Sequence, residues 1–180
     1  MDDKSYLAEL LGYLKTNFKN TNGNQSYGIY GAPKSTVKVD NDTPNMGYQM
    51  LRNSDIYINP KKNPGQVDSL NTLFHEAAHV QQPRLSQLFN FLDPSYRAVS
   101  RIDFPDYNWK NMRPGAEEVL ATMRAEEAML PAGKTIYDDS MGQYVMGELK
   151  KTNPDKSEQQ LKLMLDRGMF PGRNFAYPGK

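Results

Sequence analysis

The chain has 180 residues, 22 basic and 21 acidic side chains, a net charge of +1, 38% apolar residues and a mean hydropathy of −0.76. That length suits one ordinary domain with a modest core, and a balanced charge without blocks of one sign excludes a footing for nucleic acid or a membrane surface. There is no cysteine, which excludes disulfides, thiolate metal sites and a cysteine nucleophile, and fits a reducing compartment.

In chain order, the opening MDDKSYLAELLGYL is acidic and interrupted by charges, unlike a signal peptide. No apolar run approaches the roughly 20 residues that span a bilayer. Starting at Met1, the chain reads as a complete protein, with the cytoplasm as the expected location. Leu7, Leu10, Leu11, Leu14 and Phe18 recur at helical spacing, so residues 3–18 are expected to form a helix that ends at NTNGNQ. Short strands are expected at Tyr27–Tyr30, Thr36–Val39 and Asp55–Ile58, between Gly, Pro, Asn and Asp turns. After Pro64-Gly65 the apolar face Val67, Leu70, Leu73, Phe74, Ala77 and Ala78 predicts a helix to about Gln82, stopped by Pro83. Residues 84–113 are mixed, with a short helix near Leu85–Leu92 and an irregular aromatic stretch. A helix is expected from Pro114-Gly115 to Leu130, and two more at 139–152 and 156–167. In the last, Ser157 and Gln160 have capping-box spacing. The tail from about residue 169, rich in Pro, Gly and aromatics, is expected to be extended. The pattern is α+β: a small N-terminal antiparallel or mixed sheet, then a mainly helical C-terminal half.

The helix at 67–82 carries Leu73-Phe74-His75-Glu76-Ala77-Ala78-His79. Residues i and i+4 lie on one helical face. Two imidazoles there can bind one zinc ion at about 2.0–2.1 Å each. Glu76 points beside such an ion and can take a proton from a water that the metal has acidified. HExxH can also arise where histidines are merely packed or solvated. Against that, the motif sits on an amphipathic helix, and the chain's two histidines are both inside it. With no third histidine, a third ligand must be a carboxylate, and an oxyanion donor must be Tyr, Arg, Lys, Asn or backbone. The helix after Pro114 offers Glu117 and Glu118. Glu118 shares a small-residue face with Ala121, Ala125 and Ala128, whereas Glu117 is rotated about 100° away. Geometry therefore favours Glu118, although carboxylates near a helix N-terminus are favourable without any metal. As oxyanion donors Tyr107, Tyr137 and Tyr144 are candidates. Tyr137 ranks first, because it follows the Glu118 helix by a short loop.

HEAAH followed by a helix bearing a glutamate resembles the gluzincins, zinc peptidases with two His and one Glu as ligands. Glu118-Val119-Leu120-Ala121-Thr122 fits their Glu-x-x-Ala-Asp/Asn frame, and Ala125 with Leu130-Pro131 is similar to the ImmA/IrrE group of small gluzincin-like proteins. The likeness covers about Asp55–Pro131. It implies a single zincin-like domain over residues 1–180, its sheet packed on the HExxH helix. It implies zinc on His75, His79 and Glu118, and Glu76 as general base. It also implies that the strand Asp55–Asn59 borders the cleft and that substrate pairs along its edge, although alternation alone shows no more than one buried face. Thr122 departs from the family's Asp or Asn, which supports a ligand histidine; a hydroxyl does this less strongly. Phe89, Phe91, Tyr96, Phe104, Tyr107 and Trp109 can wall the cleft or face a partner, but such residues more often form core.

The expected function is zinc-dependent hydrolysis of a peptide or protein substrate, with cleavage of a specific partner favoured over general digestion. The rival is a structural or interaction protein, such as a phage (virion) or assembly component, that retains the zinc site. A metal-free helical domain is the third reading.

Overall fold

The computed structural model describes residues 2–17, 20–22, 36–50, 54–82, 94–102 and 115–169. Expectations for Tyr27–Tyr30, Leu85–Leu92, Phe89, Phe91, Phe104, Tyr107, Trp109 and the tail beyond Met169 lie outside these residues. The described elements are α1 (Asp3–Asn17), β1 (Val37–Val39), β2 (Gly47–Gln49), β3 (Ile56–Ile58), α2 (Gln66–Gln81), α3 (Pro94–Val99), α4 (Ala116–Met129), a 3-10 turn (Ile136–Asp138), α5 (Ser140–Thr152) and α6 (Glu158–Met169). The protein is thus α+β, with a three-stranded mixed sheet and mostly helical content. Among the described residues no helix is long and apolar enough to cross a membrane. The chain divides into two compact units, residues 1–81 with 124–135, and residues 82–123 with 136–180. Helix α4 runs unbroken from one into the other.

In the first unit the strand order is β1-β3-β2. β1 pairs parallel with β3, and β2 pairs antiparallel with its other side. Register places Lys38, Tyr57 and Tyr48 in one row across the sheet. Alternation puts that row on one face and Val37, Val39, Ile56 and Ile58 on the other. The Tyr48 and Tyr57 rings stack with centroids 4.7 Å apart, and Lys38 lies over the Tyr57 ring. Ile56 and Ile58 are buried, and α2 packs on β2, β3 and α1. Its core face is Leu70, Leu73, Phe74, Ala77 and Ala78, and α1 contributes Leu10 and Leu14. The start of α2 is fixed by Asp68, which accepts the Gly65 N–H at 3.1 Å, and by Ser69, whose hydroxyl donates to the Gly65 carbonyl. The first contact satisfies an N–H that a helix start leaves orphaned, and the Gly65 carbonyl also accepts the Ser69 N–H at 3.1 Å. The end of α4 is held by Asn22, whose amide donates to the carbonyls of Glu127 and Lys134.

Asp55 closes the row of strand contacts. Its carboxylate accepts from the Lys38 ammonium at 2.5 Å and from the Thr36 hydroxyl at 2.6 Å. These donors hold the Asp55 carboxyl below its ordinary value, Lys38 first and Thr36 second. A depressed folded-state pKa contributes stability that is complete above the unfolded value of about 3.9 and vanishes as pH falls through the folded value. Asp55→Asn should therefore lower the urea midpoint at pH 7. The gap to the parent should narrow as pH falls below about 3.9; a gap that stays constant as pH falls would assign the effect to packing.

The second unit packs α3, α5, α6 and the 3-10 turn around Ile136, Met141, Val145, Leu149, Leu161, Leu165 and Met169. Asp139 caps α5 by accepting the Met141 N–H at 2.9 Å. The expected capping box opens α6: Ser157 N–H donates to Gln160 Oε1 at 2.8 Å, and Gln160 N–H donates to Ser157 Oγ at 3.2 Å.

Candidate metal centre

His75 and His79 stand one turn apart on α2, both half-buried. Their Nε2 atoms approach to 3.0 Å, with the rings nearly perpendicular at 77°. With one ring protonated at Nε2 this is an N–H···N hydrogen bond. With both rings protonated at Nδ1, two lone pairs converge on one point. Two nitrogens at 2.0–2.1 Å from one tetrahedral ion would stand about 3.3 Å apart, so the pair needs only a small opening to become a chelate.

Glu118 lies in the first turn of α4 and is exposed. Its carboxylate and the two imidazoles each offer one ligand atom, and these atoms all lie within 4.8 Å of one another. Two imidazoles and one carboxylate suit zinc, whose catalytic sites commonly use two His and one Glu. The small face expected of α4 is present, since Ala121, Ala125 and Ala128 are all buried. The Thr122 hydroxyl donates to the Glu118 carbonyl at 2.8 Å. Its proton is therefore used within its own helix, and only its lone pairs remain for an imidazole N–H.

Glu76 is 9% exposed and sits where α2 meets the sheet. Gly47 of β2 lies against that point. A Cβ there would stand 2.6 Å from Thr72 Cγ2, 2.8 Å from the Tyr57 carbonyl oxygen and 3.4 Å from Glu76 Cγ. Glycine is what lets the strand approach the helix beside Glu76. Gly47→Ala should destabilise by about 1–3 kcal/mol, the usual cost of overpacking, measured by urea denaturation. An unchanged midpoint would mean that the strand is free to shift.

One expectation is corrected. β3 is the central strand, with both backbone edges bonded to neighbours, so a substrate has no edge of Asp55–Asn59 to pair with. Among the described residues the strand at the sheet edge that backs onto Glu76 is β2, whose three residues are too few to read from sequence. Tyr137 lies on the 3-10 turn. Its hydroxyl bonds to Asp166 Oδ1 at 2.7 Å and to the Lys162 carbonyl at 3.0 Å. A phenol has one proton to donate, and here it is engaged on α6. Tyr144 is 36% exposed on α5. Tyr96, one of the aromatics expected as cleft wall or core, is buried on α3.

Sequence reasoning passed over Gln81, Gln82 and Arg124. Arg124 is 2% exposed, and its guanidinium Nη2 donates to Gln81 Oε1. Gln82, also buried, donates from Nε2 to the Glu117 carbonyl at 3.1 Å. The long polar pair two and three residues after the second histidine was the available signal. No protein-family model, curated protein or solved structure matches the chain.

Proposed function

We propose that the protein is a zinc-dependent metallopeptidase. The observation that supports this reading is the grouping of Glu118 with His75 and His79, the two histidines standing on the helix that also carries Glu76, a buried carboxylate. His75, His79 and Glu118 would hold the ion. Bound there, zinc supplies Lewis-acid polarisation of a carbonyl and acidifies a water towards a pKa of about 7. Glu76 takes the proton of the attacking water and returns it to the leaving amine, the paired roles of a general base and general acid. The exposure of Glu118 leaves the ligand set accessible to a substrate. An extended peptide paired along the outer edge of β2 would pass Glu76, because Gly47 lies against it.

Zinc-dependent cleavage of an unstructured protein or a peptide library, read by mass spectrometry, tests the proposal. Hydrolysis should stop on chelation and return on adding zinc. A zinc-loaded protein that cleaves nothing would leave the structural or assembly role instead.

A further inference from the structure

Asn63 is 4% exposed, in the loop that joins β3 to α2. Its Nδ2 donates to the Met46 and Asn59 carbonyls, both at 2.8 Å, and its Oδ1 accepts from the Thr72 hydroxyl at 2.7 Å. An asparagine amide has two protons to give, and both are used. One side chain thus ties together the residue before β2, the residue after β3 and helix α2. All of these groups lie in the first unit.

None of the three bonds is needed to satisfy the group at its far end. The Met46 carbonyl also accepts the Asn59 N–H at 2.9 Å. The Asn59 carbonyl also accepts the N–H groups of Lys62 and Asn63, at 3.1 and 3.2 Å. A threonine hydroxyl within a helix can bond to the carbonyl four residues back. A buried amide is costly unless it is bonded, and an apolar side chain avoids that cost. Asn63 therefore serves linkage rather than satisfaction of these groups.

The link sets the approach of β2 to Glu76. Thr72 and Glu76 stand one turn apart on one face of α2. Gly47, next to Met46, lies against both, its ideal Cβ falling 2.6 Å from Thr72 Cγ2 and 3.4 Å from Glu76 Cγ. This contact sets how far a peptide on the outer edge of β2 would lie from Glu76. About 1 Å of misplacement can cost about 10²-fold in rate. We infer that Asn63 and Thr72 are positioning residues for the peptidase reaction, clamping β2 to α2 through the Met46 carbonyl so that a bound peptide meets Glu76. The inference rests on the metallopeptidase reading above.

The test compares the parent with Asn63→Leu, Thr72→Val, Thr72→Ser and the Asn63→Leu/Thr72→Val double variant. In the metal-free parent, Asn63→Leu and Thr72→Val, NMR records the Overhauser effect between the Gly47 α-protons and the methyl groups of residue 72, beside thermal melts. In the zinc-loaded proteins, kcat, KM and zinc content are measured with the library peptide that the parent cleaves fastest. Asn63→Leu and Thr72→Val should melt cooperatively, show a weaker Overhauser effect and lose about tenfold or more in kcat, with zinc content unchanged. The double variant should lose no more than the worse single one, because both cut one link. Thr72→Ser keeps the hydroxyl and should cleave faster than Thr72→Val, which keeps the shape; packing alone would give the reverse order. An unchanged Overhauser effect, a parent-like kcat or that reverse order would overturn the inference while leaving a cleaving parent as a peptidase. If Asn63→Leu does not fold, the two Thr72 variants carry the same readouts. A parent that cleaves no peptide would overturn the metallopeptidase reading itself, and this inference with it.

Discussion

If the protein is the proposed metallopeptidase, Glu76→Gln should keep its zinc and lose hydrolysis by about 10²- to 10⁴-fold, the range attributed to a positioned general base. Glutamine matches glutamate in size, so the contact of Glu76 with the strand at Gly47 survives and the fold with it. What the amide lacks is a basic oxygen that can take a proton from water at neutral pH and release it to an amine. The loss therefore falls on kcat rather than on zinc content or folding. Paired measurements of metal per chain, melting midpoint and cleavage rate separate the three. A variant that cleaves as fast as the parent removes Glu76 from the chemistry. If neither protein cleaves while both hold zinc, the site belongs to a structural or interaction protein.

Gly142→Ala produces the largest loss of stability expected of any single methyl in the described residues. A Cβ on Gly142 would lie 2.0 Å from the Ile136 carbonyl oxygen and 2.6 Å from its carbonyl carbon. Those are backbone atoms of the 3-10 turn that packs on α5, and Ile136 is fully buried. Relief requires α5 and the turn to separate, which opens their shared core. The expected cost is about 3 kcal/mol or more, the upper end for overpacking, and a fall in melting midpoint of about 6–12 °C for a chain of this size. Gly147, five residues along the same helix, has nothing within 4 Å of its ideal Cβ. Gly147→Ala should stabilise by about 0.5–1 kcal/mol through reduced backbone entropy in the unfolded chain. Opposite signs from one substitution on one helix isolate the steric term. Equal melting points for the two variants would contradict the packing described.

Apart from α3, which falls in a stretch expected to be irregular, the described helices were legible because their faces and ends are written locally. Leu70, Leu73, Phe74, Ala77 and Ala78 mark the buried stripe of α2, and Pro64-Gly65 and Pro83 bracket it. The Ser157–Gln160 pair announced the start of α6 and is made as expected. The sheet was harder. β2 has three residues, Gly47, Tyr48 and Gln49, too few for a period-2 signal, and its place at the sheet edge depends on pairing with β3. Sequence alternation at Asp55–Ile58 revealed a strand but not which neighbours it had, so its central position could not be foreseen.

The candidate site divides in the same way. The spacing of His75 and His79 is intrinsic to a helix and needs no tertiary information. The preference for Glu118 over Glu117 came from a rotation of about 100° per residue, and the group of ligand atoms that converges includes Glu118. Tyr137 could not be judged from sequence, because the fate of its hydroxyl depends on where α6 places Asp166 and the Lys162 carbonyl. The buried hydrogen bonds of Gln81, Gln82 and Arg124 were hidden for the same reason, since long polar side chains usually face solvent.

Native mass spectrometry of the purified protein supplied with zinc, beside Glu118→Ala, tests the metal centre most directly. The parent should carry one zinc per chain, and the variant should hold it much more weakly. A parent that takes up no zinc would contradict the metal centre and leave HEAAH an ordinary stretch of helix. Equal zinc in both proteins would remove Glu118 from the ligand set.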